Sequence, residues 1–211
     1  MEGFGGLAVD LTGNGDSGGE APTDIGVYAG DLIQCVREVA PVKPLIWVGH
    51  SMGGAVVLTV ALARPDMADY LILIGSCGRY QINSAFLESL KKGDVAPNAR
   101  RLLFSPFTSD ELIEIENADD ARGDPVASYH GILACSRFDV LDKLPDIKAP
   151  TCIIVGKDDV NTPVVCSEAL VKKLPNAAMT VLEKAAHMII VEQPDAVNKC
   201  IMEFMDKELG L

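Results

Sequence analysis

The feature that most constrains the fold is a five-residue pattern, Gly49-His50-Ser51-Met52-Gly53, set between two apolar segments. The run before it, Leu45 to Val48, predicts a buried strand, and the run after it, Gly54 to Leu62, predicts a helix. The pattern therefore marks a sharp strand-to-helix turn with a serine at its tip. We expect a strained backbone at the serine and a requirement for small residues at both glycines of the pattern. A chance match in an ordinary βα turn is the alternative.

Two further side chains that a serine nucleophile needs occur later in the chain. The β-branched run Thr151 to Gly156 predicts a buried strand, and it leads directly to Asp158 and Asp159. Ala178 to Glu183 predicts a short strand that leads to His187 in a loop. The chain order is therefore serine, acid, histidine, which argues against a chance match.

Four segments in this order resemble motifs of the α/β-hydrolase superfamily, and the resemblance covers nearly the whole chain outside its middle. They are a D-x-x-G-x-G-x-S loop (Asp10 to Ser17), the turn with one further glycine (Gly49 to Gly54), a G-x-x-D-x-x-x-P loop (Gly156 to Pro163) and an H-x-x-x-x-E-x-P tail (His187 to Pro194). The resemblance implies an α/β fold, namely a mostly parallel sheet with helices on both faces and an inserted helical cap.

The resemblance also implies roles for the residues that match. Ser51 is expected to be the nucleophile, His187 the general base and acid, and Asp159 the carboxylate that orients the imidazole, with Asp158 as the alternative. The backbone N–H of Met52 is expected to supply one oxyanion donor. His50, beside the nucleophile, is interpreted as structural.

The family's upstream strands are not visible in this sequence. Nine residues precede Asp10, and Gly6 to Val9 predicts the strand that enters the first loop. We therefore expect an N-terminally shortened chain that lacks the strand and His-Gly loop supplying the second oxyanion donor. The pair His130-Gly131 is a poor substitute, because no buried strand precedes it. The missing strand would leave an apolar sheet edge exposed, which predicts possible self-association.

The alternation of strands and helices divides the chain into three parts. Residues 1–78 and 149–211 are expected to form the hydrolase core, and residues 79–148 a helical cap. The predicted helices run from Thr23 or Asp24 to Val39, Met52 to about Arg64, Ser84 to Lys92, Ser109 to Glu116, Val164 to Leu174 and Asp195 to about Leu209. Candidate pocket residues are Phe104, Phe107, Tyr129, His130 and Phe138, with packing of the cap onto the core as the alternative for at least half of them.

Composition narrows the class of protein. With 211 residues the chain is long enough for one sizeable core, and its net charge of −12 argues against nucleic acid or anionic membrane as a partner. No run is long and apolar enough for a membrane span and no signal peptide is visible, so a cytoplasmic location is expected. The six cysteines form no C-x-x-C pair, so no metal site is predicted.

A second glycine pattern could be mistaken for a cofactor site. Gly13-x-Gly15-x-x-Gly18 matches a dinucleotide-binding fingerprint, but Gly19 to Pro22 extends the loop where a helix should begin. No cofactor is therefore predicted.

These observations together predict a serine hydrolase acting on a small to medium carboxylic ester, thioester or amide, with a small-molecule acyl substrate as its partner. The alternative is a non-catalytic or truncated chain on the same scaffold, which acts as a binding protein or is an inactive fragment.

Overall fold

The computed structural model describes residues 5–39, 42–94, 96, 99–120 and 123–210. Within this part of the chain a parallel sheet has four strands in the order β1-β2-β3-β4. The strands are β1 (Ile46–His50), β2 (Tyr70–Ile74), β3 (Thr151–Gly156) and β4 (Ala177–Leu182). Neighbouring strands align so that their carboxyl ends, and the loops that follow them, meet at one edge of the sheet.

Helices connect and cover the strands. They are α1 (Ile25–Val39), α2 (Met52–Ala63), α3 (Ser84–Lys92), α4 (Asp110–Asp120), α5 (Pro125–Ser136), α6 (Val164–Lys173), α7 (Ile189–Glu192) and α8 (Pro194–Leu209). All but α5 and α7 correspond to helices that the sequence predicts. The apolar run from Tyr70 to Ile74 predicts a strand, as the run from Thr151 to Gly156 does, and both strands are confirmed. Strands β1 and β4 lie within two residues of their predicted positions. The α/β fold class, with a mostly parallel sheet, is confirmed.

Two apolar clusters hold the layers together, one on each face of the sheet. One cluster joins α1 and α2 to Leu71, Leu73 and Ile153. The other joins α8 to Ile72 and Ile154, which point to the opposite face. Because side chains alternate along a strand, β2 and β3 must be apolar throughout when both faces are covered. This explains why their sequences are unbroken apolar runs.

The segment between β2 and β3 contains α3, α4 and α5 together with a short 3-10 helix, Ala99–Leu103. Its described residues add no strand to the sheet, although Arg79 and Asp139 form an isolated antiparallel bridge. Helix α5 was not predicted. Its apolar residues lie all around the helix instead of on one face, and Gly131 lies in its middle, so its sequence carries little helical signal.

The predicted strand at Gly6 to Val9 is wrong. These residues are exposed and have no regular secondary structure. A strand is stabilised by pairing, and this segment pairs with none of the described strands. It does not pair with β1, whose only described neighbour is β2.

No helix in the described ranges is both long and apolar enough to cross a membrane.

Candidate active site

Three side chains from three separate loops meet at the carboxyl edge of the sheet. Ser51 Oγ lies 2.9 Å from His187 Nε2, and His187 Nδ1 lies 2.9 Å from Asp159 Oδ2. A carboxylate only accepts hydrogen bonds, so Nδ1 carries the imidazole proton and Nε2 is left to accept from the serine hydroxyl. Within this arrangement the serine proton has an acceptor in place.

Besides His187, the Asp159 carboxylate has hydrogen-bond partners in its own loop. Its Oδ1 accepts from the backbone N–H groups of Asn161 and Thr162 at 2.8 Å, and its Oδ2 accepts from Thr162 Oγ1 at 2.7 Å. Burial raises the pKa of this carboxyl, but the hydrogen bond and charge of His187, together with the Thr162 bonds, hold the pKa below its ordinary value. The carboxylate is thus kept ionised beside the imidazole.

Asp158 points elsewhere. Its Oδ2 accepts a hydrogen bond from Ser105 Oγ at 2.6 Å. Of the two adjacent acids that the sequence left open, the structure brings Asp159 to the histidine and turns Asp158 towards the segment that follows the short 3-10 helix.

Ser51 has the strained backbone expected of the turn, with φ of 53° and ψ of −120°. Its carbonyl accepts from Tyr80 Oη at 2.7 Å and from Ser76 Oγ at 2.8 Å, while its N–H donates to Ile74 at 2.9 Å. Burial raises the pKa of Tyr80 well above its ordinary value, so its hydroxyl remains a donor. These bonds fix the strained turn on both sides of the serine.

The two glycines of the turn, Gly49 and Gly53, differ in the space available for a side chain. A Cβ on Gly49 would lie 2.3 Å from the carbonyl oxygen of Gly53, which forbids any side chain there. A Cβ on Gly53 would meet nothing within 4 Å. The expectation that both positions must be small is therefore correct for Gly49 and wrong for Gly53, because Gly53 already lies inside helix α2 and faces open space.

His50 packs beside the catalytic candidate His187, with ring centroids 4.9 Å apart. Its Nε2 donates to the backbone carbonyl of His187 at 2.7 Å. Burial and the charge of His187 lower the pKa of His50 to about 4. A neutral, half-buried histidine held on a backbone carbonyl agrees with a structural role.

Met52 is the first residue of helix α2, so its N–H has no acceptor within the helix and points out of the helix start. The pair His130-Gly131 lies in the middle of helix α5 rather than in a loop. A Cβ on Gly131 would lie 3.1 Å from Met52 Sδ, so α5 passes close over the turn. Backbone N–H groups inside a helix are already bonded, which leaves this pair unsuited to an oxyanion.

The five candidate pocket residues have different surroundings. Phe138 packs in the core, 6.1 Å from the ring of Tyr80, and Phe104 is also buried. His130 is half-buried, and its Nδ1 donates to the carbonyl of Ala21 at 2.7 Å, which ties α5 to the loop before α1. Tyr129 is half-buried beside it, and Phe107 is 67% exposed under the ammonium group of Lys184. The first three therefore have packing or anchoring contacts.

Several residues of the site have no sequence signal. Ser76 and Tyr80 reach Ser51 through contacts across the fold and belong to none of the motifs. Thr162 lies within the G-x-x-D-x-x-x-P loop, three residues after Asp159, but at a position that the motif leaves unspecified. All six cysteines are free thiols. Among the described residues no group of three or more histidine, cysteine or carboxylate side chains is placed to hold a metal ion.

Comparison with known proteins gives a family match over most of the chain. The model of the family described as serine aminopeptidase, S33, matches residues 1–194.

Individual relatives and solved structures agree with this match. A protein of Agrobacterium fabrum named "Putative carbamate hydrolase RutD" is 30% identical over 94% of this chain and 82% of its own length. A pimeloyl-[acyl-carrier protein] methyl ester esterase of Neisseria meningitidis serogroup B is 29% identical over 94% of this chain and 81% of its own. The structure of a thermophilic esterase is 29% identical, with a TM-score of 0.84 over 97% of this chain and 82% of that one. The sheet and its helices are those of the α/β-hydrolase fold.

Proposed function

Because this chain belongs to the serine aminopeptidase S33 family and is an enzyme of the α/β-hydrolase fold, we propose that it is a serine hydrolase. Its substrate is a small to medium carboxylic ester, thioester or amide, cleaved through an acyl-enzyme on Ser51. The observation that carries the proposal is the pair of 2.9 Å contacts that link Ser51 Oγ through His187 to Asp159. The methyl ester named for one relative lies within this class, and the carbamate named for another likewise has a carbonyl carbon bonded to a heteroatom leaving group.

The first half of the reaction forms the acyl-enzyme. Ser51 Oγ attacks the carbonyl carbon of the substrate while its proton passes to His187 Nε2. The carbonyl oxygen becomes an oxyanion that accepts from the N–H of Met52 and lies at the positive end of helix α2. When the carbon–heteroatom bond breaks, His187 returns the proton to the leaving alcohol, thiol or amine.

The second half regenerates the enzyme. A water molecule gives a proton to His187 Nε2 as its oxygen attacks the acyl carbon, and the proton returns to Ser51 Oγ when the ester bond to the serine breaks. Asp159 stays ionised throughout and stabilises the imidazolium that forms in each half.

We assign residues 79–148 as a cap over this site. Helix α5 passes close above Met52, and such a cover excludes water and shapes the acyl pocket. The acyl chain preference is therefore expected to depend on this segment rather than on the sheet.

The test uses a fluorophosphonate probe, which phosphonylates only an activated serine. Ser51→Ala is the site variant, and Ser84→Ala, an exposed serine on α3, is its control. Labelling of the parent and of Ser84→Ala but not of Ser51→Ala supports the proposal. Circular dichroism shows whether each protein is folded, and a folded parent that is not labelled would overturn the proposal. Acetate, butyrate and octanoate esters of p-nitrophenol then rank the acyl chain length.

A further inference from the structure

A short stretch of the cap segment, residues 103–108, is bonded directly to the loops that carry the acid and the base. We call it the cap strap. The backbone N–H of Met188 donates to the carbonyl of Leu103 at 3.0 Å, next to the histidine. Ser105 is fully buried, and its Oγ donates to Asp158, next to the triad acid candidate. The strap therefore contacts both loops at positions adjacent to Asp159 and His187.

Glu192 joins the strap to the histidine loop a second time. Its Oε2 accepts from the backbone N–H of Ala186 at 2.6 Å. Its Oε1 accepts from the N–H of Ser105 at 2.6 Å and from Thr108 Oγ1 at 2.5 Å. One carboxylate thus bridges the residue before His187 and two residues of the cap strap.

These contacts hold the backbone on both sides of His187, and the carbonyl of Ala185 also accepts from the N–H of Asp158 at 2.9 Å. Ala186 N–H is bonded to Glu192, Met188 N–H to Leu103, and the carbonyl of His187 to His50. Two of these four anchors, those at Ala186 and Met188, lead to the cap strap. Because general-base catalysis needs the imidazole within hydrogen-bond reach of the serine, a shift of this loop by a fraction of an ångström would lengthen the contact with Ser51.

We propose that Glu192 is a positioning residue: it fixes the His187 loop to the cap strap, so that the reach of the imidazole to Ser51 depends on the seating of the cap. The inference rests on the proposed function. It also means that the cap affects the rate of the chemical step, in addition to shaping the pocket.

Glu192→Gln tests the bridge with little change of volume. A carboxylate presents two accepting oxygens, whereas an amide presents one oxygen and one NH2 group. Either Ala186 N–H or Ser105 N–H would then face a donor, so the bridge must open on one side. Thr108→Val is a milder variant, because it removes one hydroxyl donor and leaves the Ala186 bond in place. The matched control is Glu183→Gln. Glu183 is an exposed glutamate on the His187 loop, and its carboxylate pairs with Lys157.

Steady-state kinetics with a p-nitrophenyl ester give the first readout. We expect kcat of Glu192→Gln to fall about 10- to 100-fold while KM changes little, since the acyl pocket is intact and only the base is displaced. Thr108→Val should lose less, and Glu183→Gln should match the parent. An unchanged kcat in Glu192→Gln and in Thr108→Val would overturn the inference.

A proton NMR spectrum gives a readout independent of turnover. The Nδ1 proton of His187, shared with Asp159, is expected at low field in the parent and in Glu183→Gln. It should broaden or vanish in Glu192→Gln, and Asp159→Asn assigns it. If the resonance is unchanged in Glu192→Gln while only the stability to urea falls, then Glu192 is a structural anchor and the inference fails. Where Glu192→Gln does not fold, Thr108→Val provides the same comparison.

The two proposals fail in distinguishable ways. A folded parent with the low-field resonance but no fluorophosphonate labelling refutes the hydrolase function. If the parent is labelled and active, but Glu192→Gln has the same kcat and the same low-field resonance as the parent, the positioning role of Glu192 is refuted.

Discussion

The Nε2–H of His50 donates to the backbone carbonyl of His187 at 2.7 Å, so the residue before the nucleophile holds the backbone of the base. A carbonyl oxygen only accepts, which fixes the tautomer of His50 with its proton on Nε2. The adjacent residues His50 and Ser51 therefore both contact His187, one through its backbone and the other through its ring.

This contact predicts a pH dependence of stability. The pKa of His50 is lowered from 6.5 to about 4 in the folded protein. Well above pH 6.5 the His50 side chain is neutral in both the folded and the unfolded state. As the pH falls from 6.5 towards 4 the unfolded state binds the proton first, and the free energy of unfolding should decrease by about 3 kcal/mol from this residue. Urea unfolding across this range measures the loss.

The comparison with His50→Asn isolates that contribution. The asparagine amide can still donate but does not titrate, so this variant should lose much less stability between pH 6.5 and 4. Equal slopes for the parent and His50→Asn would contradict the prediction.

The two adjacent acids should differ sharply when each is changed to asparagine. In Asp159→Asn the imidazole loses its anionic partner and its tautomer is no longer fixed, so we expect kcat to fall about ten-thousand-fold. Asp158→Asn alters only the Ser105 bond and should cost no more than about ten-fold. Ester hydrolysis rates of the two variants decide between them, and the reverse order would make Asp158 the triad acid.

The two glycines of the turn offer a matched pair for stability. Gly49→Ala places a Cβ against the backbone of Gly53 and should prevent folding or unfold the protein at low urea concentration. Gly53→Ala meets open space inside a helix and should raise the free energy of unfolding by about 0.5–1 kcal/mol. Urea titrations followed by circular dichroism measure both. A destabilised Gly53→Ala would show that this position has the same steric requirement as Gly49.

Self-association through the open edge of β1 remains a prediction. In the described part of the chain β1 is paired on one side, and its Val48 is 54% exposed. An exposed strand edge favours pairing with a second copy, and a lysine there opposes it. Sedimentation velocity should therefore show less dimer for Val48→Lys than for the parent, and a parent that is monomeric at all concentrations would refute the prediction.

The sequence predicted those parts of the molecule whose signal is local. The strands at Tyr70 and Thr151 are unbroken apolar runs, and Ser51, Asp159 and His187 lie in short motifs with fixed spacing. The strand expected at Gly6 does not form, because pairing depends on a neighbour that a local pattern cannot supply. The donors Tyr80 and Ser76 act on Ser51 across 29 and 25 residues of sequence, and no periodicity marks them.

The hydrogen bond between Ser51 and His187 joins residues 136 positions apart in the sequence. No short fragment of the chain can therefore form the site. Both residues reach their places only when β1 and β4 are joined through the two strands between them. Closing so long a loop costs chain entropy and comes late in folding. During refolding, the onset of fluorophosphonate labelling therefore reports when the whole sheet is complete. Recovery of the helical circular dichroism signal reports only when the helices have formed.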